Sequence, residues 1–486
     1  MSNINSTSSA AAVKKRHAGK KLELDMTTGS IAKNLITFAF PLLVGNLFQQ
    51  LYNMVDTWVI GQTGIAGDYA AVGSIGPIIN ILIGFFSGLA SGAGVVISRH
   101  FGARDESGVR RAVHTSMVMT LVLAAAFTVL GVILAPEMLD LMLDNEREGF
   151  DEMYGAGETY LRIYFAGVAG LMLYNMGAGI LRAVGDSQRP LYFLIVCAVT
   201  NTVLDVVFVF CFNMGVAGVA LATVISQCLS AVLTLIVLFR TDSCVRLRLK
   251  WLRVDTAMLK RIVNIGIPSA IQMALTAFAN VFVQSYIAGT EGNMTVNTGG
   301  WTTYSKVDQF IFLPMQSLAL ATTTFVGQNL GVGNVERAKT GARMAYFMST
   351  ACSIVIMVPT MIFAAPISGI FNSDPEIVAT STRLLHVITP FYLFCSVNQV
   401  FSAALRGAGN SRVPMLIMLT SFIGVRQVYL FIMSRYISNE LIPIGISYPV
   451  GWFTCCVLTL IYYLHFDFAK VKTVSEENSE PEAVEG

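Results

Sequence analysis

The chain has 486 residues, of which 54% are hydrophobic and only 13% are charged, and its mean hydropathy is +0.63. About 25% of the residues of an ordinary soluble domain are charged, so this composition excludes a water-soluble globular protein. The formal net charge of +2 identifies no partner. The composition predicts an integral membrane protein in contact with membrane lipids, and we expect no nucleic-acid partner.

Apolar stretches that are long enough to cross a bilayer recur along the chain. A helix needs about 20 residues to span a hydrocarbon core of about 30 Å, whereas a barrel strand needs only about ten residues of alternating polarity. Because the stretches are long and continuous, we predict an all-helical fold with twelve transmembrane helices. In chain order, the predicted spans 1 to 12 lie near residues 31–61, 70–98, 112–135, 158–182, 190–213, 215–239, 258–288, 300–328, 339–367, 377–404, 414–438 and 441–466.

The charges of the loops predict the orientation of these spans. The loops after spans 2, 4, 6, 8 and 10 are rich in arginine and lysine, whereas the loop after span 3 is acidic between Asp140 and Glu152. Since positively charged loops stay on the cytoplasmic side, both termini are expected in the cytoplasm. The first 25 residues contain a Lys14-Lys15-Arg16 cluster but no apolar run, so no cleaved signal peptide is expected. We expect a multi-pass protein of the plasma or inner cell membrane.

The two halves of the chain resemble each other in sequence. The segment GILRAVGDSQRP, which contains Leu181, matches AALRGAGNSRVP, which contains Leu405, 224 residues later (405 − 181). An earlier match aligns Pro41 with Pro268, 227 residues apart (268 − 41). Six spans in each half make this a parallel repeat about an axis along the membrane normal, which predicts two bundles that face each other across a cavity.

The duplication predicts how the chain is divided. Because the cavity can form within one chain, we expect a functional monomer. The predicted segments are a cytoplasmic tail at 1–30, a six-helix lobe at 31–239, a basic cytoplasmic linker at 240–257, a second six-helix lobe at 258–466 and an acidic cytoplasmic tail at 467–486.

Two aspartates stand inside predicted spans of the first half. Asp56 lies about five residues before the outer end of span 1, and Asp205 lies about eight residues before the end of span 5. Both helices run outward at about 1.5 Å per residue, so the two carboxylates are expected at depths within about one turn of each other. A charge at the bilayer centre costs about 2.5–3.5 kcal/mol, which makes both residues functional candidates. Each could instead simply accept hydrogen bonds from helix ends or hydroxyls.

Other polar side chains could complete a pocket around these carboxylates. Asn201 precedes Asp205 by four residues and therefore shares its helical face. A desolvated carboxylate beside a second one is stabilised by a proton or a cation, so the pocket is predicted to carry H⁺ or Na⁺. The position that matches Asp56 in the second half is Val283, so the charge is not duplicated. The remaining predicted members are Thr223, Tyr52, Asn53, Tyr174 and Asn175.

Polar residues in the second half have less certain roles. Lys306 and Asp308 could pair with each other or line the cavity, and Arg426 in span 11 is similarly placed. Further residues that could line the cavity are Gln272, Asn398 and Gln399, although intramembrane amides often only bridge helices. Two prolines inside spans, Pro41 and Pro268, are candidate hinges, although proline is common in membrane helices.

Several chemistries find no support in the sequence. The eight cysteines form no C-x-x-C pair, and the five histidines have no metal-ligand spacing, so no dedicated metal site is expected. A Walker A segment and a G-x-S-x-G segment are both missing, which argues against an ATP-driven pump and a serine hydrolase. We therefore predict a protein that is not an enzyme and that needs no cofactor apart from a coupling ion.

The sequence resembles the multidrug and toxic compound extrusion (MATE) family. The resemblance implies a two-lobed, twelve-helix exporter that exchanges organic compounds, often cationic drugs or metabolites, for H⁺ or Na⁺. In the DinF-like branch the ion site lies in the first lobe, and its positions are matched here by Asp56, Asn201, Asp205 and Thr223. Another branch adds carboxylates on helices 7 and 10, which spans 7 and 10 lack. The segments that carry the resemblance are YNMVDTWVIG, LRAVGDSQRP, NTVLD, GVAGVALATVISQ, TTTFVGQNLGVGN and LRGAGNSRVP.

We therefore expect a multidrug efflux antiporter that works by alternating access. Two alternatives remain at this point. A flippase for lipid-linked precursors of the same broad fold would need a strongly cationic central cavity, and apart from Lys306 and Arg426 the spans supply few cations. A polytopic membrane enzyme would need a set of catalytic groups at one membrane face, and the sequence offers none.

Overall fold

A computed structural model describes residues 23–62, 66–140 and 150–479 of the chain. Within these ranges the secondary structure is helical, with no strand. Three sequence features lie outside the described residues: the Lys14-Lys15-Arg16 cluster, the acidic loop at 141–149 and the end of the acidic tail at 480–486. The described part of the chain confirms the expected all-α fold.

Twelve helical segments match the twelve predicted spans in order. Eleven are single helices long and apolar enough to cross a membrane, and the twelfth is a pair bent by 48°. The bend falls at Gly167, where a Cβ would overlap the side chain of Val224. The helices are α1 Ile31–Gly61, α2 Ala66–Gly102, α3 Glu106–Asp140, α4 Phe150–Ala166 with Val168–Ala183, α5 Gln188–Cys211, α6 Gly215–Arg240, α7 Thr256–Ala288, α8 Met294–Gly331, α9 Val335–Ile362, α10 Pro375–Gly407, α11 Arg412–Ile437 and α12 Leu441–His465.

The matching LR-x-x-G segments of the two halves have the same backbone conformation. Gly185 and Gly409 occupy equivalent positions after α4 and α10, with φ of 87° and 88°. At each site the next N–H donates to a helix carbonyl, from Asp186 to Leu181 at 3.0 Å and from Asn410 to Leu405 at 2.9 Å. This closure of a helix end requires a left-handed residue, which only glycine adopts without strain. The glycines in the repeated motif therefore end equivalent helices.

The two halves meet most extensively along α2 and α7. A Cβ at Gly88 or Gly92 of α2 would overlap the backbone of Ala270 or Gly266 of α7. Such close approach of two helices through small residues is typical of packing within membranes, where apolar lipid gives helices no hydrophobic reason to associate. These contacts lie toward the C-terminal end of α2 and the N-terminal half of α7.

Polar contacts join the same ends of the helices. Gln328 near the end of α8 accepts a hydrogen bond from the Met26 N–H at 2.9 Å and donates to the Ala183 carbonyl at 3.0 Å. Arg337 donates to the carbonyls of Thr28 and Gly29. The described ends of the chain therefore lie on one side of the protein, and the two halves are joined on that side.

The segment between α6 and α7 packs against the first half. Asp255 caps α7 by accepting from the Met258 N–H at 3.1 Å, and its carboxylate lies 3.3 Å from Arg111. The Arg248 N–H donates to the ring of His114 at 3.1 Å. Although α6 ends at Arg240 and α7 already begins at Thr256, the predicted boundaries at 239 and 258 are close to those of the structure.

We predict that Gly92→Ala destabilises the protein because an added Cβ must push α2 away from α7. Overpacking of this kind costs about 1–3 kcal/mol, whereas alanine elsewhere in a helix gains up to about 1 kcal/mol over glycine. Gly76→Ala is a matched control in the same helix, since no atom lies within 4 Å of a Cβ at that position. Thermal unfolding in detergent should show a lower midpoint for Gly92→Ala only, and equal midpoints would contradict this packing.

Candidate functional site

The structure brings the two aspartates of the first half together. Asp205 on α5 is fully buried, and Asp56 on α1 is half-buried. Their carboxyl groups are close enough to interact, and Asp56 also lies beside the amide of Asn201. Because α1 and α5 pack side by side, the depth match expected from the sequence becomes a direct juxtaposition.

The polar atoms of this pocket have no partners to satisfy them. Neither carboxylate oxygen of Asp205 has a hydrogen-bond partner in the described part of the chain, and neither do the amide atoms of Asn201 or the Thr223 hydroxyl. Asn201 is 1% exposed and Thr223 is 7% exposed, so water does not replace the missing partners. Since buried polar groups in proteins are nearly always paired, such a cluster indicates a site for a species that binds there.

Two tyrosines that the sequence reasoning missed complete the pocket. Tyr160 lies beside Asp56, Asp205 and Thr223, and its ring stacks on that of Tyr164 with centroids 6.2 Å apart. Gln227 is one turn after Thr223 on α6 and lies beside the Tyr164 hydroxyl. The sequence contained a signal for both pairs, because residues four apart share a helical face.

Other predicted pocket residues fall outside this cluster. The Tyr174 hydroxyl donates to the Pro190 carbonyl at 3.4 Å. Pro190 precedes Asp205 by 15 residues, which is about 22 Å along an α-helix. Asn175 accepts a hydrogen bond from Ser87 of α2 at 3.4 Å. Tyr174 and Asn175 therefore bridge helices away from the carboxylates, which corrects their predicted place in the pocket.

The remaining two tyrosine and amide predictions on α1 have different surroundings. Tyr52 lies one turn before Asp56 and interacts with its carboxylate and with Tyr164. The Asn53 side chain is exposed. The equivalent of Asn53 in the second half is Asn280, 227 residues later, which bonds to a buried arginine. Tyr52 is thus at the pocket, whereas Asn53 points to its outside.

The predicted cavity-lining residues of the second half are mostly buried between helices. Gln272 contacts Met418 of α11, and the Asn398 amide donates to the Trp452 carbonyl at 3.1 Å. These two amides bridge helices and do not line an open cavity, while Gln399 is half-buried. The structure thus favours the bridging alternative for Gln272 and Asn398.

Asp308 and Lys306 do not form the pair that the sequence suggested. Asp308 instead accepts hydrogen bonds from the hydroxyls of Tyr304, at 3.3 Å, and Tyr392. Residues two apart on a helix point to opposite faces, which is why Lys306 and Asp308 cannot meet. The two candidate hinges, Pro41 and Pro268, are buried inside the continuous helices α1 and α7.

The pocket has the chemistry to hold a small cation or a proton. Two carboxylates, one amide oxygen and one hydroxyl supply oxygen atoms, the ligand type that hard cations prefer. No cluster of three or more His, Cys, Asp or Glu side chains suited to a transition metal occurs among the described residues. A proton shared by the carboxylates would equally relieve their repulsion.

The helical fold and a pocket of unpaired carboxylates inside it are those of a membrane transporter, and sequence comparison assigns the chain to a family. A family model described as MatE matches residues 41–207 and 268–432, so the chain belongs to this family of multidrug efflux transporters. The two matched segments start at the repeat-related Pro41 and Pro268. The resemblance expected from the sequence motifs is therefore confirmed.

Individual relatives match over nearly their whole lengths. Probable multidrug resistance protein YoeA of Bacillus subtilis is 28% identical over 445 residues, which cover 89% of this chain and 94% of the relative. Probable multidrug resistance protein NorM of Thermotoga maritima is 27% identical over 462 residues, which cover 92% and 95%. These relatives are transporters and not enzymes.

A solved structure shares the fold. The outward-facing conformation of a multidrug resistance MATE family transporter of the MOP superfamily has a TM-score of 0.84 and 23% identity. The match covers 90% of this chain and 96% of that chain.

We predict that Asn201→Leu leaves the protein as stable as the wild type or makes it more stable. An unsatisfied buried amide costs about 1–3 kcal/mol, which leucine removes. Asn398→Leu is the matched control, because it breaks the hydrogen bond to Trp452 and should cost about 0.6 kcal/mol or more. Thermal unfolding in detergent would measure both, and a larger loss for Asn201→Leu would show that its amide is satisfied.

Proposed function

We propose that the protein is an antiporter that exports organic compounds in exchange for H⁺ or Na⁺ across the plasma membrane. The observation that carries this proposal is the facing pair of Asp56 and Asp205, buried in α1 and α5 without neutralising partners. A transporter needs a group whose charge changes during the cycle, and this pair meets that need. Thr223 and Asn201 would supply further oxygen atoms if the ion is Na⁺.

The conformation of the two lobes supports alternating access. The halves are joined on the side of the described chain ends, which the loop charges assign to the cytoplasm. The opposite halves of α1 and α7 expose large apolar side chains such as Leu51 and Phe278, which are repeat-related positions. We infer that a cavity opens to the outside in this state and that apolar substrates leave through it.

The cycle follows from electrostatics. An ion that enters from outside neutralises the carboxylates, changes the packing of α1, with Pro41 as a possible point of bending, and releases the substrate. The inward-facing state then releases the ion to the cytoplasm. At a membrane potential of 100 mV each inward elementary charge contributes about 2.3 kcal/mol, which can drive a substrate uphill more than tenfold.

Several features of the resemblance support the finer assignment. The four matched positions on α1, α5 and α6 favour the DinF-like branch with its ion site in the first lobe. Spans 7 and 10 contain no carboxylate, so a second-lobe cation site of the other branch is not proposed. Because both lobes and the pocket belong to one chain, we propose a functional monomer.

We predict that Asp205→Asn abolishes gradient-driven export. Purified protein in liposomes would be followed by the export of a cationic dye such as ethidium under an imposed pH gradient or an imposed sodium gradient. Loss of the drive of about 2.3 kcal/mol per charge corresponds to a fall of roughly fiftyfold in the attainable gradient. The gradient that drives the wild type identifies the coupling ion.

Asp308→Asn is the matched control, because it removes an intramembrane carboxylate that two tyrosines already hold. It should keep gradient-driven export. Normal export by Asp205→Asn would contradict the proposed carrier. Failure of correctly folded wild-type protein under both gradients would instead favour the flippase alternative.

A further inference from the structure

The second lobe contains a buried positive charge without a counter-ion. Arg426 on α11 is 1% exposed, and its guanidinium remains protonated in any protein environment. Its Nη1 donates to the Asn280 side chain at 3.1 Å. Its Nε and Nη2 have no acceptor, and no acidic side chain forms an ion pair with it, in the part of the chain that the structure describes. An unpaired buried charge is strongly unfavourable, so a role beyond packing is indicated.

Aromatic rings hold the guanidinium but leave one of its edges unsatisfied. The central carbon lies 5.2 Å from the ring centroid of Phe422 and 5.0 Å from that of Tyr448. Cation–π contacts stabilise the faces of the group, whereas hydrogen-bond acceptors are needed at its edge. The nearest acid beyond Tyr448 is Asp308, and its carboxylate is already held by two tyrosine hydroxyls. The Nε and Nη2 edge is therefore left for another acceptor.

The fold makes specific room for this side chain. A Cβ at Gly451 of α12 would lie 2.9 Å from the Phe422 ring and 3.5 Å from the Arg426 Cδ. A π-helical turn at Thr420–Val425 directly precedes Arg426. In the first lobe a π-helical turn at Val207–Cys211 likewise follows the unpaired Asp205. Turns of this kind occur mostly at functional sites, and here they mark unpaired charges of opposite sign on equivalent helices.

An aromatic cleft lies next to this charge. Its volume is about 540 Å³, and it lies between α7 and α11. Gln427 and Ala279, which line it, are the chain neighbours of Arg426 and Asn280. Four aromatic residues form much of its wall, namely Phe278, Phe282, Tyr286 and Phe431. The cleft suits the flat apolar body of a small organic molecule, and the guanidinium lies directly behind its wall.

We propose that Arg426, with Asn280, binds the carboxylate or phosphate group of an organic substrate whose apolar body lies in this cleft. The edge formed by Nε and Nη2 matches two oxygens of such a group, the bidentate geometry that arginine favours. The inference rests on the proposed function in small-molecule export. It extends the substrates from organic cations to organic anions and zwitterions.

Binding of three ligands with one aromatic body tests the proposal. Isothermal titration calorimetry would compare 1-naphthyl phosphate, 1-naphthoate and uncharged 1-naphthol on the purified full chain in detergent. We expect the wild type to bind at least one of the two anions about tenfold or more tighter than the naphthol, a large share of the effect of one charge-assisted contact. The ratio of the two anions tells a phosphate site from a carboxylate site.

Variants separate the charge from the packing. R426Q should lose the preference for the anion, and R426K should keep part of it because the charge remains. R435Q removes an equal charge from an exposed position on the same helix and should bind as the wild type does. If R426Q fails to fold, the wild-type preference and the partial effect of R426K still decide the question.

Two outcomes would overturn the proposal. One is a wild type that binds naphthol as tightly as both anions, and the other is an R426Q protein that keeps the full preference. Ethidium export by the same wild-type preparation distinguishes these outcomes from a failure of the transport function. Preserved export with no anion preference would leave the antiporter and remove only the anion site.

Discussion

The repulsion between two buried carboxylates is the constraint on which the rest of the structure depends. Asp56 and Asp205 face each other inside the first lobe, and no described cation neutralises them. In a medium of low polarity such a pair is stable only when a proton or a cation accompanies it. The surrounding oxygens of Asn201 and Thr223 and the stacked rings of Tyr160 and Tyr164 keep the pair dry and within reach of an ion. The occupancy of this pocket therefore sets the free energy of the whole lobe.

Helix α1 connects this pocket to the contact between the lobes. Its outer half carries Asp56, and its other half packs through Phe38 and Leu42 against Leu318 and Phe325 of α8. A change in packing around the carboxylate is thus made on the same rigid element that joins the halves. Close glycine contacts between α2 and α7 leave little freedom for small adjustments, so the lobes are expected to separate as units.

The gene duplication left the backbone symmetrical but the charges opposite. Gly185 and Gly409 end equivalent helices with the same left-handed conformation. On the fifth helix of each lobe, however, the first half buries Asp205 and the second half buries Arg426. Two lobes of one fold therefore offer a negative and a positive site, which is an arrangement suited to an ion on one side and a charged group of the substrate on the other.

The sequence by itself determined the number of spans, the duplication and the carboxylate pair, because span length, repeated motifs and helical depth are local properties of the chain. It also identified the i, i+4 relation of Asn201 and Asp205. Only the tertiary structure decided that Tyr160 joins the pocket while Tyr174 lies far from it, and that Arg426 has an unsatisfied edge. The physical reason is that lipid is as apolar as the interior of a helical bundle. Hydrophobic periodicity therefore cannot show which face of a membrane helix turns inward, and only the packing of neighbouring helices determines which polar side chains meet.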